Sequence, residues 1–230
     1  MRRAVGSCAS ILLGLRRGQC QEQDERGQGL VEFAMLIPVF LLLLLGMLEF
    51  GFAFDQNLTL EYATREGARV GSSLANGGGD LGCGTDPKDG HILSPNAATV
   101  DPQIIAAVQR VLLSPGSRVV PAAGMQVLIW QANASGQPGL TNTWKFTGLG
   151  SGPTVDNQAI AFTLVSEKWN ACNRVNSAVP PSSPDSIGVS LTHIYSFQTP
   201  LAGILRFFGG ASAGTLTISD KTVMALNPTN

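Results

Sequence analysis

"RGQGLVEFAMLIPVFLLLLLGMLEFGFAF", Arg26 to Phe54, decides how the rest of the chain is read. From Phe33 to Phe54 the one charged residue is Glu49. A helix of that length spans about 33 Å, against a hydrocarbon core of roughly 30 Å. One membrane crossing follows. The next most apolar run, "LAGILRFFGG" (Leu201–Gly210), is too short to cross and carries Arg206. Pro38 falls in the first third of the span, removes a backbone hydrogen bond and predicts a bend there.

The flanks orient the span. Arg2, Arg3, Arg16, Arg17 and Arg26 precede it, whereas Arg65 and Arg69 are the nearest basic residues after it. Basic residues concentrate on the cytoplasmic side, so the N-terminus is expected in the cytoplasm and the bulk of the chain outside. A conventional secretory signal is not expected. The short apolar stretch Ala4–Leu15 runs into "RRGQC" and "QEQDERG" with no small-x-small cleavage site.

Two carboxylates, Glu32 and Glu49, need a reason, because an unpaired acid in lipid costs several kcal/mol. A plain reading of Glu32 is an acid in the first turn of a helix, where the dipole favours it. Glu49 lies about 25 Å further along the helix, near the outer edge of the span. Helix packing and a snorkelling interfacial position both fit it.

The boundary before the span is more specific. A polar, charged leader ends in Gly27, Glu32 is the fifth residue after that glycine, and an apolar helix begins at once. This resembles the processing site of type IV prepilins, which a membrane aspartyl peptidase cuts on the cytoplasmic face. With "ATREGARVG" (Ala63–Gly71) added, residues 26–71 resemble the TadE-like family. These are small pseudopilins, or minor pilins, of the tight-adherence (Flp pilus) assembly system. "VSLTHIYSFQTPL" (Val189–Leu201) resembles the family's late strand running into a Thr-Pro turn.

The resemblance implies a role for each matching residue. Gly27 becomes the last residue of the leader and Gln28 the new N-terminus. Glu32, with Phe33 beside it, serves subunit docking and recognition for processing. The implied partners are the prepilin peptidase, other pilins or pseudopilins, the inner-membrane assembly platform and the lipid bilayer. The physics agrees, since cleavage creates a positive amine at Gln28. The Glu32 carboxylate of the same or a neighbouring subunit would neutralise it, more strongly in a low dielectric than in water.

Beyond the span, "DQNLTLEYATREGARVGSSL" (Asp55–Leu74) stays helix-compatible, so one helix is expected from about Gly29 to Leu74. Ala63, Gly67 and Gly71 recur four apart and form a flat stripe for close packing. Gly67 costs about 1 kcal/mol against Ala in a helix, which a close neighbour would offset. Glu61 and Arg65 are also four apart, in the supportive order.

"ANGGGDLGCGTDPKDGHILSPN" (Ala75–Asn96) is a loop by composition. Its aspartates Asp80, Asp86 and Asp89 do not have EF-hand spacing. "DPQIIAAVQRVLLS" (Asp101–Ser114) predicts a helix capped by Asp101, with Pro102 in the first turn. Ile104, Ile105, Val108, Val111 and Leu112 form its buried face. Five strand-like runs follow: Met125–Ala132, Thr143–Gly148, Ala159–Trp169, Ser186–Phe197 and Thr215–Leu226.

The expected fold is therefore α+β and pilin-like. One long N-terminal helix, transmembrane over about 33–54, packs on a small antiparallel β-sheet domain with one further short helix. The expected segments are a leader 1–27, the helix 28–75 and an extracytoplasmic domain 76–230. Cys8 and Cys20 lie in the leader, which leaves Cys83 and Cys172. On an oxidising side these two predict one disulfide, with two free thiols as the alternative.

Composition excludes other classes. A net charge of −1 with 13% charged residues gives no footprint for nucleic acid. His91 and His193 have no serine, cysteine or acid at a catalytic spacing, and no zinc pattern appears. No catalytic residue, metal or cofactor is expected. Trp130, Trp144 and Trp169 are assigned to the core. The expectation is a processed pseudopilin that works by packing. The alternatives are an uncleaved single-pass protein with an outer binding or sensory domain, and a pseudopilin of another secretion machine.

Overall fold

The computed structural model describes residues 22–74, 97–171, 174, 184–210 and 213–226. The chain divides into two compact units, Met1–Leu45 and Gly46–Asn230.

In the first unit the described residues are helical. Helix α1, Glu22–Leu74, begins there. It starts a turn or more before the expected Gly29, because "EQDERG" holds good helix formers and no proline. Gly27 and Gln28 therefore lie within the helix. Pro38 lies inside it without ending it. Every residue from Gly27 to Leu44 is exposed. Such a face needs lipid or other helices around it.

Among its described residues, the second unit holds the rest of α1, two short helices, a five-stranded sheet and a small hairpin. Helix α2 is Ala97–Leu112. The strands are β1 (Gln126–Ala132), β2 (Pro138–Phe146), β3 (Thr154–Val155), β4 (Gln158–Ala159), β5 (Phe162–Ser166), β6 (Ser186–Ser196) and β7 (Thr215–Ala225). Helix α3, Leu201–Gly209, lies between β6 and β7. Strands β5-β2-β1-β6-β7 form one sheet in that order, antiparallel throughout. Strands β3 and β4 form a separate hairpin, turned by Asp156 and Asn157 at positive φ.

Alternation along β6 turns Ile187, Val189 and Leu191 to one face, where Val127 and Ile129 of β1 join them. Helix α2 supplies Ile104, Ile105, Val108 and Leu112, all at most 1% exposed. Leu60, Ala63 and Ala68 of α1 complete the core. Trp144 and Trp169 are in it too. Trp130 is buried elsewhere: its ring lies across Gly188 of β6, where a Cβ would come within 2.2 Å of the indole.

Four sequence expectations are corrected. Helix α2 begins at Ala97, so Asp101 is inside it and caps nothing. Its carboxylate instead takes Arg174 Nη2 at 2.6 Å and Asn142 Nδ2 at 2.7 Å. The run Ala159–Trp169 is not one strand. Gln158 and Ala159 pair with β3 while Phe162–Ser166 pair with β2, and two different partners divide it. The strand expected from Thr143 begins at Pro138, because a tight turn at Asn133–Gly136 continues the β1–β2 ladder back to it. The Asn133 side chain holds that turn by accepting the N–H groups of Ser135 and Gln137, each at 2.9 Å. One short helix was expected beside α1; α3 is a second.

Candidate assembly helix and its clamp

The functional residues expected from the sequence fall at three places along α1. At its start, Gln28 Nε2 donates to Glu32 Oε1 at 3.0 Å, one helical turn on. Gly27, Gln28, Glu32 and Phe33 are all exposed. Among the described residues, nothing lies within 4 Å of a Cβ built on Gly27 or Gly29.

The second place is Glu49. It lies in the apolar run yet is only 4% exposed. Its carboxylate accepts three hydrogen bonds: the Tyr195 hydroxyl, the Gln198 N–H at 2.8 Å and the Thr199 N–H at 3.0 Å. All three donors come from the end of β6 and the turn before α3. The acid is thereby shielded from its surroundings, and its charge is spread over three fixed dipoles. The Tyr195 phenol is pushed above its usual range, by burial and by that carboxylate.

The third place is the small-residue stripe. Ala63 is fully buried. A Cβ on Gly67 would meet Val108 Cγ2 at 2.7 Å and Val189 Cγ1 at 3.3 Å. One on Gly71 would meet Ile187 Cδ1 at 2.7 Å and Ile104 Cδ1 at 3.0 Å. Glycine here lets α1 press onto α2 and β6 together. The run "REGAR" divides by face. Gly67 and Ala68 turn inward, while Arg69 pairs with Glu66 at 2.7 Å and Arg65 with Glu61 outside. One turn earlier, the Thr64 hydroxyl meets Asp220 and Thr222 of β7.

Sequence reasoning found these α1 residues but not their partners. Tyr195 carried a usable signal, since it continues the inward alternation of β6. Asn142 carried none. It is fully buried, accepts the N–H groups of Lys168 and Trp169 at 2.8 Å each, and donates to the Trp169 carbonyl and to Asp101. Arg174 closes this node by stacking over Trp169 at 4.5 Å. The pair Cys83 and Cys172, the loop Ala75–Asn96 and His91 lie outside the described residues. Among the described residues no group of His, Cys, Asp and Glu could hold a metal ion. His193 is buried in β6, and burial holds its imidazole below the usual value.

No curated protein and no solved structure matches the chain. Residues 27–69 match a family model described as TadE-like protein. The matched stretch lies wholly within α1 and includes the junction, the apolar run, Glu49 and the REGAR seam. That family is associated with the Tad pilus and is in general non-catalytic. The likeness to the TadE-like family is thus carried by one helix, over residues 27–69.

Proposed function

We propose that the chain is a processed pseudopilin, or minor pilin, of a tight-adherence pilus system. One observation carries the reading. A family-matched helix leaves its apolar residues from Leu30 to Leu44 uncovered, directly behind an exposed Gly27–Gln28 junction. Such a helix is complete only in a bilayer or among other helices.

The prepilin peptidase removes residues 1–27 on the cytoplasmic face. The new amine on Gln28 then starts the helix one turn from Glu32, whose carboxylate the Gln28 side chain already reaches. Glu32 neutralises that amine and lets the helix end enter a bundle without a bare charge. The subunit waits in the cytoplasmic membrane with its domain outside, then joins other pilins at the assembly platform. Cys83 and Cys172 form a disulfide in that domain. No step is catalytic.

Mass spectrometry of the membrane-fraction protein tests the reading. A mature chain beginning at Gln28, lost when the peptidase gene is deleted, is the expected result. A chain beginning at Met1 in both strains overturns processing and favours an uncleaved anchored domain. In the mature unfolded protein, two titratable thiols would overturn the disulfide.

A further inference from the structure

Helix α3, Leu201–Gly209, buries none of its residues. Leu201, Ile204, Leu205 and Phe208 recur at i, i+3, i+4 and i+7 and make one apolar stripe, and Arg206 projects from the other side of the wheel. Phe207 and Phe208 are 83% and 82% exposed. A nine-residue helix with an uncovered stripe of this kind is not a core element.

Its position says what covers it. The two N–H groups just ahead of α3, on Gln198 and Thr199, are fixed to Glu49. Pro200 follows at the N-cap position of the helix. On the same turns of α1, Met47 and Phe50 are 76% and 74% exposed. Glu49 stands five residues before Phe54, where the apolar run ends, or about 7.5 Å along the helix. With the end of that run at the far edge of the hydrocarbon core, Glu49 lies about 7.5 Å below it. An amphipathic helix lying in the interface buries its apolar face by about 5–10 Å. The clamp therefore holds α3 at the depth such a helix occupies.

We propose that α3 is a membrane-surface helix. Its Leu201–Ile204–Leu205–Phe208 stripe lies among the outer ends of the acyl chains, and Arg206 reaches the lipid phosphates. This rests on the reading of α1 as a membrane anchor. The subunit then holds its bilayer at two places, one across it and one along it. The domain is seated on the membrane rather than hung above it.

The full-length chain, reconstituted in vesicles of phosphatidylethanolamine and phosphatidylglycerol, tests this. Flotation with the vesicles is measured first, and a chain that stays behind overturns the anchor reading and this proposal with it. Phe208→Trp is then compared with Leu149→Trp, at a turn residue 71% exposed. The native tryptophans are buried and their signal is subtracted. The emission added by Phe208→Trp should be largely lost with lipids doxyl-labelled near the headgroup and should resist acrylamide. Leu149→Trp should behave in the opposite way. If the Phe208→Trp emission is open to acrylamide and blind to the lipid label in floated vesicles, α3 faces water and the proposal falls while the anchor stands. Shielding from both quenchers overturns it as well, because a protein partner then covers the stripe.

Discussion

The backbone N–H of Gln198 meets the Glu49 carboxylate at 2.8 Å. A residue late in the chain thus supports an acid in its most apolar stretch, and the turn before α3 becomes a fixed seat on α1. Replacing Glu49 by Leu leaves the Tyr195 hydroxyl and two N–H groups buried without acceptors. This should destabilise the domain by about 3 kcal/mol, since each hydrogen bond to a charged group contributes roughly 1.5–3 kcal/mol and the changes overlap. Tyr195→Phe removes one of the three and should cost about half as much. Urea unfolding in micelles, followed by tryptophan emission, measures both. Equal stability of Glu49→Leu and wild type would show that the clamp contributes nothing.

The two glycines of the seam should respond differently to the same change. At Gly67 a Cβ meets Val108 Cγ2 and Val189 Cγ1, both on stiff β-branched side chains. Overpacking there should exceed the gain of about 1 kcal/mol in helix propensity, for a net loss of roughly 1–2 kcal/mol in Gly67→Ala. At Gly71 the obstacles are the terminal methyls of Ile187 and Ile104, which can swing aside. Gly71→Ala should be close to neutral. Thermal melting of the two variants side by side decides, and a larger loss at Gly71 contradicts the assignment.

Asn142 holds the segment after β5 to the sheet. Asn142→Leu keeps the branched heavy-atom outline but leaves the N–H groups of Lys168 and Trp169 without an acceptor. It also takes a donor from Asp101. A loss of about 3 kcal/mol is expected. Proteolysis should begin beside Trp169 before the rest of the domain opens, and peptide mapping would show it.

His193 sets a pH dependence. Burial holds its folded value below the ordinary 6.5. The unfolded chain therefore binds a proton that the folded chain resists. The contribution to stability is fully present above about pH 6.5 and declines as pH falls below it. His193→Gln should flatten the unfolding midpoint between about pH 7 and pH 5. A wild-type midpoint constant over that range would contradict this assignment.

What the sequence made legible was local. The apolar run has one charge, the seam has a fixed period, and the strands alternate, so α1, most of α2 and at least part of each of the five sheet strands could be placed. Asp101 misled because it stands before a proline at an apparent helix start, while its true partners, Asn142 and Arg174, are remote in sequence. Glu49 stayed ambiguous for the same reason, as nothing near it in the chain reveals Tyr195. Helix α3 was passed over because a nine-residue apolar run is judged against a membrane crossing and fails that test. Its meaning depends on where the clamp holds it.

Glu49 and Gly67 are 18 residues apart, and 18 residues make five turns of a helix. The clamp and the seam therefore act on one azimuth, like two keys cut on a single shaft. Inserting one residue between them would turn one key by about 100°. The helix would then have to choose between the Gln198 amide and the Val108 methyl. The angular phase of the helix from Glu49 to Gly67 is thus fixed twice over, at the two ends of one five-turn segment.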